Sequence, residues 1–120
     1  ELVTKSKWKA GTIINMRENF RKLFLKEIKK LVTKNKHALE PRDKNISFMR
    51  EYSLDDNDLK EIILDLSPND CVGGPEEDKD GYEGYILKFK SLYLDNVLIY
   101  IKVRYNQPDE AVFISFHEDE

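Results

Sequence analysis

Residues 85–117, YILKFKSLYLDNVLIYIKVRYNQPDEAVFISFH, contain three runs that are rich in β-branched and aromatic residues. Runs of this composition are typical of β-strands. Asp95-Asn96 suits a two-residue hairpin turn between the first two runs, and Pro108 lies in the connection to the third. The sequence therefore predicts three consecutive antiparallel strands, over residues 85–94, 97–105 and 111–117.

Helical periodicity precedes these strands. Apolar residues recur at intervals of three and four between residues 17 and 34, which predicts an amphipathic helix. A short helical turn is expected over residues 46–52. Ser53 is a good N-cap for the next helix, which is acidic in its first turn and ends at Ser67-Pro68, where one further turn can begin. The sequence thus predicts an α+β class, with two or three helices packed on one face of a small antiparallel sheet of about three strands.

Length and composition restrict the class of protein to which this chain can belong. The 120 residues fit a single domain, and 40% apolar residues supply its core, so we assign residues 16–120 to that domain. Residues 1–15 show no sustained period and precede Met16, an expected original start. They are predicted to form a poorly packed extension, with a short β-arm over residues 12–15 as the alternative. A single cysteine and the lack of a long apolar segment argue against disulfides and membrane spans, and a cytoplasmic location is expected.

The net charge of −3 conceals an asymmetry along the chain. Residues 1–36 carry 11 basic and 3 acidic residues, a local charge of +8, whereas residues 37–120 carry 9 basic and 20 acidic residues, a charge of −11. A basic segment attracts polyanions, of which nucleic acid is the usual candidate. A solvated helix face that balances the acidic remainder is the alternative.

Residues 73–84, GGPEEDKDGYEG, are rich in glycine and acidic residues and are predicted to form a mobile acidic loop. Asp78, Asp80 and Gly81 resemble part of a calcium loop, but the bidentate glutamate that such a loop needs is missing. His37 lies in a basic, turn-like stretch and is expected at the surface. No metal site is therefore predicted.

Alternation along the strands sorts their side chains onto two faces. In the middle strand, the side chains expected to point towards the helices are those of Val97, Ile99, Ile101, Val103 and Tyr105, and those expected to point away include Tyr100, Lys102 and Arg104. In the last strand, the expected apolar set is Val112, Ile114 and Phe116, and the opposite set is Phe113, Ser115 and His117. The face away from the helices is thus predicted to be cationic and aromatic and to carry an imidazole.

The register of the first hairpin decides whether Lys88 joins this cationic face. A strict two-residue turn would pair Phe89 with Lys102 and direct Lys88 towards the core. A one-residue bulge near Ser91 would restore Lys88 to the cationic face. The role of Lys88 therefore depends on that bulge.

These side chains could cleave RNA without a metal or other cofactor. Cleavage through the 2′-hydroxyl needs a base, an acid and cations around the developing phosphorane. Histidine can act as base or acid near neutral pH, and lysine or arginine can hold phosphate. The predicted catalytic residues are His117, Tyr100 and Lys88, and the predicted phosphate-binding residues are Lys102, Arg104 and Lys90. The alternative is the ordinary polar face of an antiparallel sheet.

Four stretches carry a family resemblance: FLKEIKKLV (24–32), FMREYSLDDNDLKEIILDLSPNDCVGGPEEDKDG (48–81), VLIYIKVRY (97–105) and VFISFHEDE (112–120). Together they resemble the MqsR family of type II toxins, which are related in fold to the RelE-like mRNA interferases. The resemblance extends from residue 16 to residue 120, and LSPND, GGPEEDKDG and SFHE are its most distinctive parts. It implies an endoribonuclease toxin that cleaves mRNA and is held inactive by an antitoxin encoded beside it.

The resemblance also implies site residues. The family's active-site tyrosine falls on Tyr100, its glutamine in the preceding strand falls near Lys88, and its C-terminal lysine is replaced by His117. The family's lysine after the L-S-x-x-D segment falls on Gly73, so another cation, Lys102 or Arg104, would have to supply that charge.

The leading functional hypothesis is therefore a metal-independent endoribonuclease toxin, with mRNA as substrate and a cognate antitoxin as protein partner. The alternative is a catalytically inactive RNA- or protein-binding module with the same fold, which Gly73 favours. A third hypothesis is an interaction or inhibitor protein of a mobile element that uses the acidic loop at residues 73–84 as its partner surface.

Overall fold

The computed structural model describes residues 5–81, 84–106 and 109–120, with side chains from residue 18 onwards except that of Asn106. Within these ranges the chain forms three α-helices, which are α1 (Lys5–Thr33), α2 (Asp43–Glu51) and α3 (Asp56–Asp65). It also forms five strands, which are β1 (His37–Leu39), β2 (Cys71–Glu77), β3 (Tyr85–Ser91), β4 (Ile99–Asn106) and β5 (Glu110–Glu118). A short 3₁₀ turn, Pro68–Asp70, connects α3 to β2.

The five strands form one mixed sheet in the order β1-β5-β4-β3-β2. Strands β2 to β5 pair antiparallel with their neighbours, whereas β1 runs parallel to β5. The α+β class agrees with this architecture. The prediction of a small sheet of about three antiparallel strands is wrong, because the sheet has an additional strand at each edge.

Neither edge strand has a sequence with the pattern of a strand. β1 has three residues, too few to show an alternating pattern. β2 reads CVGGPEE and contains two register shifts against β3, so its composition is that of a turn. Proline is tolerated there because an edge strand leaves one row of N–H groups without a partner strand. The segment predicted to be a loop over residues 73–84 therefore begins as a strand and leaves the sheet only after Glu77.

The hydrophobic core lies between the helices and one face of the sheet, which we call the inner face. α1 contributes Phe24, Ile28 and Val32, and the inner face contributes residues such as Phe89 and Ile101. Each such side chain, when fully buried, contributes about 1.5–3 kcal/mol of transfer free energy. The ammonium group of Lys29 also donates a hydrogen bond to the carbonyl of Leu66 and thereby connects α1 to the end of α3.

α1 begins twelve residues before the predicted start at residue 17, since its first residue is Lys5. The alternative β-arm over residues 12–15 is wrong, because that stretch is helical. Residues 1–4 and the side chains of residues 5–17 lie outside the described part of the chain, so the loose packing of residues 1–15 stays a prediction. None of the helices in the described ranges is long and apolar enough to cross a membrane.

The caps of α3 and of the 3₁₀ turn follow from side-chain hydrogen bonds. The N-cap of α3 is Asp55 rather than Ser53. Asp55 Oδ1 accepts from the backbone N–H of Asp58 at 2.9 Å, and Asp58 Oδ2 accepts from the backbone N–H of Asp55 at 2.8 Å. Accepting the Asp58 backbone N–H lowers the pKa of Asp55. Ser67 caps the 3₁₀ turn at Pro68, as predicted.

The first hairpin has the register that keeps Lys88 away from the core. β3 ends at Ser91 and β4 begins at Ile99, so that Phe89 pairs with Ile101 and Lys88 with Lys102. The turn at Asp95-Asn96 is present, with the N–H of Val97 donating to the carbonyl of Leu94 at 3.2 Å. The Phe89–Lys102 pairing that a strict two-residue turn implies is therefore wrong. The seven residues between the paired strands, rather than a bulge near Ser91, set the register.

A bulge does occur in β5, and it changes the predicted division of that strand. Lys102 pairs with Ser115 and Val103 with Phe113, so that Ile114 is the extra residue. Phe113 and Phe116 both belong to the main core, whereas Val112 and Ile114 form a second cluster with Ile86. The prediction that Val112, Ile114 and Phe116 share one face is therefore wrong, although Ser115 and His117 keep the face predicted for them.

Candidate active site

The outer face of the sheet, opposite the helices, collects most of the predicted site residues. Cross-strand pairing places them in two neighbouring rows, Lys88-Lys102-Ser115 and Lys90-Tyr100-His117. Side chains directly opposite each other on neighbouring strands have Cβ atoms about 4.5–5.5 Å apart. The sheet therefore brings together residues that are up to 29 positions apart in the chain.

His117 and Tyr100 are the central pair of this face. Their ring centroids lie 5.8 Å apart, with the planes inclined by 49°. Nδ1 of His117 lies 2.9 Å from the backbone carbonyl of Glu118. Because a carbonyl can only accept, Nδ1 carries the proton, and in a neutral ring the lone pair is then on Nε2. His117 is thus arranged to accept a proton through Nε2.

The three lysines of the outer face differ in their partners. Lys88 forms an ion pair with Glu76 at 3.1 Å, and Lys90 forms one with Asp119 at 3.0 Å. Lys102, the middle residue of the row Lys88-Lys102-Ser115, forms no ion pair with any residue in the described ranges. Lys102 is therefore the lysine whose charge is most available to an anion on this face.

Gly73 on β2 leaves space that Lys88 fills. The two residues are cross-strand partners, and a Cβ atom added at Gly73 would lie 3.3 Å from Cδ of Lys88. The aliphatic part of Lys88 thus lies across the backbone of Gly73. A side chain at residue 73 would therefore compete with Lys88 for this space.

Arg104 lies on the outer face but is largely enclosed. Its guanidinium donates to Oδ2 of Asp78 at 2.6 Å, and the two side chains are only 7% and 4% exposed. The backbone N–H of Asp80 and the guanidinium together lower the pKa of Asp78. Arg104 holds the segment after β2 against the sheet, and binding RNA phosphate would require this pair to open.

A cleft adjoins His117 where α2 packs beside β5. Two cavities of about 420 and 260 Å³ meet there, and both are lined by Lys44 and His117. Asn45 of α2 fixes the helix to the bulge, since it accepts from the N–H of Phe116 at 2.9 Å and donates to the carbonyl of Ile114 at 3.0 Å. Lys44 was not among the predicted site residues, and no sequence pattern indicated that α2 borders this strand.

His37 is not at the surface, contrary to its prediction. Its side chain is 5% exposed, packs edge-on against Phe113 and places Nε2 2.8 Å from Oδ1 of Asp56. Nδ1 is buried and has no hydrogen-bond partner in the described part of the chain. His37 therefore connects β1 to the start of α3 and lies outside the outer face.

The chemistry of the outer face has to be inferred from this chain alone. Among the residues that the structure describes, no three His, Cys, Asp or Glu side chains are grouped so that they could hold a metal ion. Comparison with protein-family models, with curated proteins and with solved structures gives no match. The arrangement of side chains can nevertheless be assessed for what it could catalyse.

Proposed function

We propose that the protein is a metal-independent endoribonuclease that cleaves mRNA in the cytoplasm as the toxin of a toxin–antitoxin pair. The observation that carries this proposal is the contact of the His117 imidazole with the Tyr100 phenol on a face that also presents Lys88, Lys90 and Lys102. The toxin role and the antitoxin partner rest on the sequence resemblance.

Each residue of the outer face has a role in this reaction. Nε2 of His117 takes the proton of a 2′-hydroxyl, and the resulting oxygen attacks the adjacent phosphorus while the bond to the 5′-oxygen breaks. Lys88 protonates that leaving oxygen, and Lys102 compensates the charge that develops on the phosphorane. The Tyr100 hydroxyl donates to a non-bridging oxygen, and Lys90 binds a neighbouring phosphate. The products are a 2′,3′-cyclic phosphate and a 5′-hydroxyl.

A binding module without catalysis is the second candidate, and the Lys88–Glu76 ion pair favours it, because this pair engages the ammonium group that we assign as the general acid. Glu76 and Asp119 neutralise two of the three lysines of the outer face, so RNA has to displace a carboxylate at each. A partner surface on the acidic segment after Gly73 has less support, because Glu76 and Asp78 are already paired with cations of the sheet.

The decisive test is His117→Ala, assayed with a fluorescently labelled RNA in the presence of EDTA. We expect cleavage to fall by about 10²–10⁴-fold, as is typical when a general acid–base group is removed. RNA binding and the melting temperature should stay close to the parent values, because His117 is only partly buried at the end of β5. A substrate with 2′-deoxyribose at the cleavage site should not be cleaved.

Two tyrosine variants provide a matched comparison. Tyr100→Phe should slow cleavage less than His117→Ala, because it removes one hydrogen bond and keeps the ring. Tyr93→Phe should have no effect, since the Tyr93 hydroxyl contacts Glu61, away from the outer face. If the parent binds RNA without cleaving it, the binding-module alternative replaces the nuclease. If His117→Ala cleaves at the parent rate, His117 is not the base.

A further inference from the structure

We propose that the cleft between α2 and β5 is a second phosphate subsite, which binds a backbone phosphate of the RNA next to the one that is cleaved. In the free protein the ammonium group of Lys44, which we assign to this subsite, is paired with Glu120. The proposal rests on the proposed ribonuclease function, because it assigns the path of the RNA strand beyond His117.

The cleft is continuous with the candidate active site. His117 lines both of its cavities and also contacts Tyr100, so a strand whose ribose reaches His117 has its next phosphate within the cleft. The smaller cavity is lined by Arg42 and Lys44, two cations at the beginning of α2. The Arg42 guanidinium stays near the carbonyl of Ile114, at 3.4 Å, and leaves its remaining N–H groups for a ligand.

Ser115 supplies an independent indication that the cleft holds a ligand. The residue is 5% exposed and lines the smaller cavity. Its hydroxyl group forms no hydrogen bond with a described residue and is not among the fully buried polar atoms, so it is open to the cavity. A phosphate oxygen in the cavity would satisfy this hydroxyl.

The ion pairs beside His117 show where anions are attracted. Lys44 binds Glu120 at 3.2 Å, and Lys90 binds Asp119 at 3.0 Å. The Lys44–Glu120 pair is the looser one, with side chains 64% and 71% exposed. Exposed pairs of this kind are weak, so a phosphate can replace the Glu120 carboxylate. The two carboxylates thus pair with the lysines that we assign to RNA phosphates.

Carboxylates oppose anion binding in the cleft: Glu51, Glu118, Asp119 and Glu120 line the larger cavity, and Asp43 lines the smaller one, to which we assign the phosphate. Asp43 lines the smaller cavity together with Arg42 and Lys44 and lowers its net positive charge. Removing that charge should strengthen the subsite. Asp43→Asn should therefore increase the affinity for phosphate. If Arg42 and Lys44 had only a structural role, this substitution would not increase that affinity.

The test titrates the full chain with inorganic phosphate and follows the backbone amide signals of residues 115–117 by NMR. Lys44→Ala and Ser115→Ala should each weaken phosphate binding about tenfold, the loss expected for one hydrogen bond to a charged group. Glu120→Gln and Asp43→Asn should tighten it. Lys34→Ala, an exposed lysine at the end of α1, is the matched control and should bind phosphate like the parent.

RNA kinetics separate the subsite from the nuclease. Lys44→Ala should raise KM for RNA about tenfold and leave kcat unchanged, because its contact is equal in the ground and transition states. Phosphate binding that depends on Lys44 and Ser115 supports the subsite even if no variant cleaves RNA, in which case only the nuclease fails. If the parent cleaves RNA while Lys44→Ala and Ser115→Ala retain parental KM and phosphate affinity, the subsite is wrong and the nuclease stands. Equal phosphate affinity in the parent and Glu120→Gln would show that Glu120 does not compete with phosphate for Lys44.

Discussion

Arg104 and Lys102 are two residues apart on one face of β4, yet their environments give them different roles. The Arg104 guanidinium is enclosed with Asp78, whereas the Lys102 ammonium has no ion-pair partner in the described ranges. A buried charge that loses its partner destabilises the fold by several kcal/mol, whereas a partly exposed lysine can exchange water for phosphate. Burial therefore divides the cations of the outer face into structural and ligand-binding groups.

Replacement of Asp78 tests whether its ion pair with Arg104 stabilises the fold. The lowered pKa of Asp78 means that its pairing stabilises the fold above the pKa of an unfolded aspartate, about 3.9, and that this stability is lost as the pH falls through the folded value. Asp78→Asn should therefore lower the free energy of unfolding by about 3 kcal/mol at pH 7. The difference from the parent should disappear in strong acid, where the parent carboxyl is protonated as well.

The measurement is the melting temperature of both chains between pH 7 and pH 2. Asp80→Asn is the matched control, because the Asp80 side chain is exposed and only its backbone N–H contacts Asp78. If the melting temperatures of the parent and of Asp78→Asn differed by the same amount from pH 7 to pH 2, the loss of stability would not come from the charge of the Asp78 carboxylate.

Hydrogen bonds from the Asn45 side chain join α2 to the bulged strand β5. β1 covers the edge of β5 only as far as Phe113, and beyond that point Asn45 replaces the missing strand by bonding to Ile114 and Phe116. The Asn45 amide thus satisfies backbone groups on both sides of the bulge. This contact holds Lys44 beside His117 and so shapes the cleft.

Asn45→Ala should lower the free energy of unfolding by about 2–4 kcal/mol, because it leaves the Phe116 N–H and the Ile114 carbonyl buried without partners. The backbone N–H of Phe116 should also exchange with solvent faster than in the parent. Asn57→Ala, at an exposed position of α3, is the control and should change stability little. Unaltered Phe116 exchange in Asn45→Ala would show that the amide does not secure the bulge.

In the described part of the chain, one ion pair joins the basic segment at residues 1–36 to a carboxylate of the acidic remainder, that of Lys36 with Asp109. The acidic residues after residue 36 pair mainly with cations of the sheet and of α2, as in the pairs Lys88–Glu76, Lys90–Asp119 and Lys44–Glu120. The described side chains of α1 that enter the core begin at Phe20. With 11 basic and 3 acidic residues, the segment at residues 1–36 is the part of the sequence most suited to attract a polyanion, which we propose to be RNA.

Deletion of residues 1–15 tests whether this part of the basic segment contributes to RNA affinity and not to the stability of the fold. The melting temperature should stay nearly unchanged, because the sequence of residues 1–15 lacks a sustained apolar stripe. RNA affinity should fall and depend less steeply on salt, since three lysines are removed and fewer counterions are released on binding. Melting curves and RNA titrations at several salt concentrations measure both effects. A large fall in melting temperature would show that these residues are part of the folded core.

Local patterns of the sequence determined several elements of this protein. The alternation of Ile99, Ile101 and Val103 identified the inner face of β4, and Ser67-Pro68 located the 3₁₀ turn. The same alternation placed Tyr100 and Lys102 on the outer face. These features were predictable because they depend on residues a few positions apart, whose spacing and capping chemistry are visible in the sequence.

Only the tertiary structure decided the features that join distant parts of the chain. β1 and β2 are strands because β5 and β3 pair with them, and their own sequences lack a strand pattern. The bulge at Ile114 depends on Asn45, and the enclosure of Arg104 depends on Asp78. The Asn45–Ile114 and Asp78–Arg104 contacts join residues 69 and 26 positions apart, and even β2 and β3 pair over 8 to 18 positions. Such contacts follow from the packing of whole elements against one another, which local periodicity does not encode.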